Sequence, residues 1–334
     1  MKRVAINGLG RIGRVVLRQY IENPPERVML VAANSPAPVD DLAYLIKYDS
    51  VHGRAPFEIK TGPDYLEIGP HRIGIFHEKN PEKLPWRSVG VDIVLECSGL
   101  FRYRDEAAKH LAAGASKVII SADAKNEDLT VVLGVNERLY NPEKHHVISN
   151  ASCTTNCLAT AAKVMLDSFG IEYLMATTVH AYTSSQAIID HSSPKHRRRG
   201  RAAALSLIPA STGAAAATQL VLPELKDRMS AMAIRVPVPD GSLTDIVAQV
   251  KRDVSTELVN AAYKEAAEGA MKGILDYSED ELVSADIVGD EHSGIVDANA
   301  TKVIRDRVVK VLVWYDNEYG YARRLLDLAD YIAR

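Results

Sequence analysis

Residues 6–14 read INGLGRIGR, and this stretch decides how the first half of the chain folds. Gly8, Gly10 and Gly13 stand in G-x-G-x-x-G spacing, directly after the apolar run RVAI (3–6) and at the head of an amphipathic stretch from Arg11 to Ile21. In that strand–turn–helix setting one glycine makes the turn and another lets the backbone approach a pyrophosphate. The third lets helix and strand pack closely, and the helix N-terminus attracts the phosphate charge. A second apolar run, VMLVAAN (28–34), follows, then DDLAYLIKY (40–48) with helical spacing, and further apolar runs at 92–99, 117–121, 130–136 and 146–150. Apolar runs alternating with helical segments such as the Ala-rich RDEAAKHLAAGA predict a parallel sheet covered on both faces. The expectation for residues 1–151 is an α/β, doubly wound Rossmann domain that binds a dinucleotide.

After residue 150 the pattern changes. CTTNCLATAAKVMLDSFG reads as a helix stopped by Gly170, and longer β-like runs follow at 173–183, 229–239, 242–251 and 308–316. These predict a second, α+β domain over residues 152–317, built on a mixed or antiparallel sheet. The segment 318–334 has helical spacing and is long enough to dock back on another element.

Composition bounds the rest. A chain of 334 residues is long for a single core, so two domains are expected. A hydrophobic content of 47% and a net charge of −3 give no reason to expect a nucleic-acid or membrane partner. No apolar run approaches the roughly 20 residues needed to span a bilayer. Three cysteines cannot make a disulfide framework, which fits a reducing, cytoplasmic setting.

The chemistry centres on SNASCTTNC (149–157). Zinc needs about four ligands, and Cys97, the remaining cysteine, ends an apolar run elsewhere, so no metal site is expected. Cys157 falls one turn into the helix and reads as packing. Cys153 falls at the strand-to-helix junction, where the helix dipole and free N–H groups lower a thiol pKa and can stabilise an oxyanion. Ser152, Thr154 and Thr155 add hydroxyls. The candidate base is His180 in TTVHAYT, although sequence cannot place it beside Cys153. Thr183 and Ser185 beyond it, the basic KHRRRGR (195–201), Ser211–Gly213 before a helix, and Arg235 would suit an anionic substrate. At the end of the second apolar run, AANSPAP offers Asn34 and Ser35 but no carboxylate for a ribose 2′-hydroxyl, which leaves room for NADP as well as NAD.

Together INGLGRIGR, YDSVHG, SNASCTTNC, TVHAYT, RAAALSLIPASTGAA and WYDNEYGY resemble the phosphorylating glyceraldehyde-3-phosphate dehydrogenases, from residue 2 to about residue 332. The resemblance implies Cys153 as nucleophile and His180 as its base. The aldehyde of glyceraldehyde 3-phosphate would be oxidised through a hemithioacetal and a thioester, with inorganic phosphate releasing the acyl phosphate. It implies Thr183, Ser185 and Arg235 at the substrate phosphate, and Ser152, Thr154, Thr212 and Gly213 at the attacking phosphate, with Arg199 near both. For the cofactor it implies Asn7, Gly8, Gly10, Arg11, Ile12, Gly13, Asn34, Ser35, Ser98, Gly99, Ser121, Asn317 and Tyr321. A homotetramer acting in glycolysis, gluconeogenesis or carbon fixation goes with the resemblance.

The chain also departs from the family pattern. Ser35 stands where NAD-specific members have Asp, and Ser192 and Ser193 stand where they have Leu-Pro, as in NADP-accepting members. SADAK (121–125) and VPDGSLTD (238–245) differ from the usual wording, and DHSSPKHRRR aligns with one extra residue. HSGIVDANATKV (292–303) leans towards erythrose-4-phosphate dehydrogenase, one alternative; the other is a dinucleotide-sensing protein without catalysis.

Overall fold

A computed structural model describes all 334 residues, which fall into two compact units. The first comprises residues 1–131, 137–152 and 322–334; the second comprises 132–136 and 153–321. No helix is long and apolar enough to cross a membrane.

The first unit is built on nine strands: β1 (Lys2–Asn7), β2 (Val28–Asn34), β3 (Lys60–Thr61), β4 (Tyr65–Ile68), β5 (His71–Phe76), β6 (Ile93–Glu96), β7 (Lys117–Ile120), β8 (Leu129–Thr130) and β9 (Val147–Ser149). They lie in the order β8-β9-β7-β6-β1-β2-β5-β4-β3. From β8 to β5 every pairing is parallel; the β5–β4 and β4–β3 pairings are antiparallel. β6 is buried at all four positions, as an inner parallel strand must be. Chain order reverses at β1, which has β2 on one side and β6 on the other, so the crevice at the carboxyl ends of these strands is the ligand position of a doubly wound sheet. Helix α1 (Arg11–Glu22) and helix α2 (Val39–Lys47) follow β1 and β2. The Ala-rich segment expected as one helix is two single turns, Arg104–Ala107 and Lys109–Ala112, parted at Ala108. The run 130–136 is β only at its start. Beyond Val131 the chain leaves the sheet, held by a bond from the Val132 N–H to Asn136 Oδ1 (2.9 Å), and enters the second unit.

The second unit wraps one long helix, α3 (Cys153–Phe169), against a seven-stranded mixed sheet. Its strands are β10 (Ile171–Ala181), β11 (Ile208–Ala210), β12 (Met229–Val236), β13 (Ser242–Val250), β14 (Leu275–Ser278), β15 (Gly294–Ile304) and β16 (Val308–Tyr315), in the order β11-β12-β10-β13-β16-β15-β14. Helix α4 (Ala214–Val221) and helix α5 (Thr256–Glu268) pack beside α3, which explains why α3 is buried nearly all round. Alternation along β10 buries Leu174, Ala176, Thr178 and His180 on one face and leaves Tyr173 and Met175 exposed on the other. Met175 pairs with Val247 and Thr177 with Met232, so the outer face is apolar across three strands. The final helix, α6 (Tyr319–Ile332), starts in the second unit and continues into the first from Ala322, where Asp330 accepts from Arg27 Nη1 at 2.5 Å.

Candidate active site

Two sites are built from different materials. In the first unit the backbone does most of the construction. Gly8 has φ +100, and a Cβ there would lie 2.5 Å from the Ser98 nitrogen; a Cβ on Gly13 would lie 2.0 Å from the Gly8 oxygen. The protein's own packing therefore requires those two glycines. Gly10 is different, because a Cβ there would meet nothing within 4 Å. It caps α1 without a side-chain bond, and the first turn of α1 carries no acid. Open backbone at a helix N-terminus with no competing carboxylate fits a dinucleotide pyrophosphate.

Beneath the glycines, Asn7 and Asn34 are fixed by a buried network. Asn34 Nδ2 donates to Asn7 Oδ1 (2.7 Å), and Asn7 Nδ2 donates to Glu96 Oε2 (2.5 Å). Glu96 also accepts from the Ser98 N–H and hydroxyl and lies 2.9 Å from His110 Nε2, while Trp86 Nε1 donates to His110 Nδ1. A carboxylate this buried needs such partners. Ser121 bonds the Cys97 thiol, which burial pushes up to about 12. Arg11 pairs with Asp49; burial opposes ionisation there, but Arg11 and the Val51 and His52 N–H groups outweigh it and hold Asp49 at about 2. Ser35 lies at the end of β2, buried, with its carbonyl 2.8 Å from His77 Nδ1. The N-terminal motif did not signal Glu96, His110 or Asp49; Glu96, an acid in the middle of the apolar run DIVLECSG, was the available clue.

In the second unit side chains converge. Chain direction turns from β9 into α3 through Ala151, whose φ of +53 is rare for a residue with a Cβ. This presents Cys153 as the first residue of α3, with Sγ 3.5 Å from His180 Nε2. Register brings the third member: His180 on β10 pairs with Arg235 on β12, so both side chains emerge on the same face. Arg235 Nη1 lies 2.6 Å from His180 Nδ1 and donates to the Ala181 carbonyl at 3.0 Å. Burial, and then the Arg235 charge, push His180 down to about 3. Arg235 is itself lowered, by burial and by facing Arg199, although Cys153 and Tyr315 work the other way. Two cations acting on one another, Arg235 largely buried and Arg199 closer to solvent, favour an anion near both.

Tyr315 is the residue that sequence reasoning left without a role. Its hydroxyl bonds Thr154 (3.0 Å) and Thr178 (2.7 Å), and its ring stands edge-on to His180, tying α3 to β10. Ser242 likewise accepts from the Ala181 N–H and donates to Asn317 Oδ1 (2.5 Å), fixing Asn317. Tyr321 is buried beside Cys153, Asn156 and Ser293.

The anion-site candidates divide. Thr183 and Ser185 share a hydrogen bond of 2.9 Å, Arg199 donates to the Ser211 carbonyl (3.3 Å), and Thr212 caps α4 through the Ala214 N–H, with Gly213 at the cap position. Ser152 and Thr154 are engaged internally instead. Ser152 bonds Asp123, a largely buried carboxyl whose pKa is raised by burial, and Thr154 bonds Tyr315. Asp123 comes from the departed SADAK segment, and a carboxyl there competes with a phosphate for Ser152. Ser192 and Ser193 lie in the loop between β10 and β11, with Ser192 exposed; Ser35 belongs to the other unit. Cys157 is fully buried against Thr244 and the Val313 carbonyl and is pushed up to about 12, as packing requires.

Family comparison accounts for both halves. The model of the glyceraldehyde 3-phosphate dehydrogenase NAD binding domain matches residues 2–104, and that of the C-terminal domain matches residues 152–317. The chain belongs to the glyceraldehyde-3-phosphate dehydrogenase family. It is 54% identical over 331 residues to the glyceraldehyde-3-phosphate dehydrogenase of Geobacillus stearothermophilus, covering 99% of this chain and 98% of that relative. It is 53% identical over 332 residues to glyceraldehyde-3-phosphate dehydrogenase 1 of Bacillus subtilis strain 168, with the same coverage. With that of Chlamydia pneumoniae the identity is 48% over 332 residues, 99% of each chain. The glycine loop thus lies in the family's NAD binding domain, and Cys153, His180 and Arg235 lie in its C-terminal domain.

Proposed function

We propose that this chain is a phosphorylating glyceraldehyde-3-phosphate dehydrogenase, converting glyceraldehyde 3-phosphate, a nicotinamide dinucleotide and inorganic phosphate reversibly to 1,3-bisphosphoglycerate. The observation that carries this reading is Cys153 Sγ at 3.5 Å from His180 Nε2, with Arg235 on the far side of the ring, in a chain of this family. Residues 1–151, completed by 318–334, are the dinucleotide-binding domain; residues 152–317 are the catalytic domain.

Gly8, Gly10, Gly13, Arg11, Ile12, Asn7, Asn34, Ser98, Gly99 and Ser121 hold the dinucleotide, with Asn317 and Tyr321 at its nicotinamide end. When bound, it supplies the acceptor for one hydride. His180 takes the Cys153 proton, and the thiolate adds to the aldehyde carbon to give a hemithioacetal. The N-terminal N–H groups of α3 face the oxygen that becomes negative, and His180 holds or returns the proton there. After oxidation Cys153 carries the acyl group as a thioester. Thr183, Ser185 and Arg235 hold the substrate phosphate, while Thr212 and Gly213, with Arg199, present the inorganic phosphate that cleaves the thioester.

Ser35, with no carboxylate beside it, accepts NADP as well as NAD, and Ser192 and Ser193 act in the same sense. The apolar outer face at Tyr173, Met175, Met232 and Val247, together with the exposed loop residues Ile188, Ile189, Leu205 and Leu207, supports association with further copies, which we read as a homotetramer; the cytoplasmic setting rests on the cysteine content alone. Comparing kcat/KM for glyceraldehyde 3-phosphate with NAD and with NADP, at saturating phosphate, tests both parts. Turnover with a ratio near one, or favouring NADP, is expected. Strong NAD preference removes the serine reading alone, and no turnover with either cofactor removes the enzyme reading.

A further inference from the structure

Beneath the glycine loop the polar side chains of the first unit can be followed hydrogen by hydrogen. Trp86 Nε1 can only donate, and it donates to His110 Nδ1 at 2.9 Å. Nδ1 is therefore an acceptor, and the ring keeps its proton on Nε2, 2.9 Å from Glu96 Oε2. Oε2 also accepts from Asn7 Nδ2, while Glu96 Oε1 accepts from both the N–H and the hydroxyl of Ser98. Four donors thus meet two carboxylate oxygens. The centre of this set is out of water: Glu96 is 2% exposed, and His110 and Trp86 are not exposed at all.

Asn34 closes the other side. Its Oδ1 accepts from the Glu78 N–H (2.9 Å), and its two amide hydrogens go to the Glu78 carbonyl (2.8 Å) and to Asn7 Oδ1 (2.7 Å). Ser98 has given both its hydrogens to Glu96, and its hydroxyl oxygen accepts from the Leu100 N–H. An amide nitrogen carries two hydrogens, and Asn7 gives one of them to Glu96. Of the side-chain hydrogens on Asn7, Asn34 and Ser98, one on Asn7 is left for a ligand.

We propose that His110 and Trp86 are positioning residues for the dinucleotide, acting through Glu96: they hold its carboxylate where it takes one Asn7 hydrogen and both of Ser98, so that the second Asn7 hydrogen serves the bound anion. This deepens the dinucleotide-binding reading of the first unit and rests on it. An anionic pyrophosphate needs donors, and the N-terminus of α1 supplies main-chain ones. Asn7 adds a side-chain donor at the carboxyl end of β1, where the chain order reverses. Asn34 and Ser98 orient Asn7 and Glu96 instead of meeting the ligand with a side-chain hydrogen of their own.

Packing fixes the far end of the chain of bonds. Trp86 lies in the core with Ala5 of β1, Ala32 of β2 and Val94 of β6, and Phe76 stands edge-on to its ring. A donor locked by packing holds its acceptor in one place. Without His110, Glu96 Oε2 loses a buried donor, and the carboxylate turns towards whatever donor the crevice then offers.

The test is dinucleotide binding to the full chain by calorimetry, with NAD as the probe, in wild type, His110→Leu and His110→Gln. Leucine removes both bonds of the ring; glutamine can still accept from Trp86 and donate to Glu96. His110→Leu should weaken NAD binding about tenfold, and His110→Gln less than about threefold. KM for NAD should follow, with kcat at saturating NAD within about twofold of wild type, since no group that touches the aldehyde has changed. Equal weakening by both variants would trace the effect to the shape of the site rather than to its directed bonds, and overturns the proposal. So does wild-type affinity in His110→Leu, or a fall in kcat at unchanged KM. A wild type that binds no NAD removes the dinucleotide reading itself, and this proposal with it. Should the variants not fold, neutron diffraction from wild-type crystals decides. Deuterium on His110 Nε2 and none on Nδ1 is expected; deuterium on Nδ1 overturns the directed chain.

Discussion

The glycine loop of the first unit and the cysteine–histidine cluster of the second are assembled in opposite ways. The loop is contiguous, and its function is written in the absence of atoms: a Cβ on Gly8 or Gly13 collides with backbone, while one on Gly10 points into open space. The cluster is discontinuous. Cys153, His180 and Arg235 come from a helix and two strands, and only the register of β10 on β12 makes neighbours of residues 55 apart. Backbone sites are therefore sensitive to any added atom, whereas side-chain sites are sensitive to the loss of one functional group.

Four substitutions and one pair sharpen that contrast. Cys153→Ser should lower kcat by about four orders of magnitude or more, because a hydroxyl is a far weaker nucleophile than a thiolate and Cys97 and Cys157 are buried, while dinucleotide binding measured by fluorescence quenching should be retained. His180→Asn should cost about 10²–10⁴-fold in kcat and flatten the acid limb of the pH–rate profile. Ser35→Asp should move the NADP/NAD ratio of kcat/KM at least about tenfold towards NAD, by repulsion of the 2′-phosphate.

The glycine pair separates stability from binding. Gly10→Ala should lower the melting free energy by less than about 1 kcal/mol yet weaken cofactor binding several-fold, since only the ligand needs that space. Gly8→Ala should reverse the pattern, destabilising the chain by more than about 2 kcal/mol because the Cβ meets backbone at a left-handed φ. Equal effects of the two would remove the distinction drawn here. The last effect is on stability alone and depends on pH, and it is expected from Asp49→Asn. A carboxylate depressed to about 2 contributes stability above its unfolded pKa of about 4 and loses it as pH falls through about 2. The variant should therefore be less stable than wild type at neutral pH, by about 1–2 kcal/mol, and the two should converge towards pH 2 in denaturant titrations.

The alternation of apolar runs with helical segments made the doubly wound sheet legible, because inner parallel strands cannot hide a polar residue without a partner. The exceptions were informative. Glu96 inside β6 is the hub of a hydrogen-bonded network. The strands β3, β4, β5, β11, β14 and β15 were not anticipated: β3, β4, β11 and β14 are short, β5 is interrupted by polar residues, and β15 carries Asp297, Asn299 and Lys302 along an 11-residue ladder with a register shift. In the site, Cys153 could be read from its place at a helix start and His180 named as its candidate base, but their proximity could not be read, because no local pattern encodes how α3 lies against β10; the neighbourhood of His180 and Arg235 likewise depends on the pairing of β10 with β12. Ser152 and Thr154 looked like free hydroxyls by position; Asp123 and Tyr315, distant in sequence, claim them.

The central claim is that Cys153 carries an acyl group that phosphate, rather than water, removes. Rapid mixing of the chain with glyceraldehyde 3-phosphate and excess dinucleotide, with and without inorganic phosphate, measures this as reduced cofactor formed per chain. The account predicts a single stoichiometric burst that nearly halts without phosphate, and continuous turnover to an acyl phosphate when phosphate is added. Equal turnover in its absence, or no burst from a chain with its Cys153 intact, would contradict it.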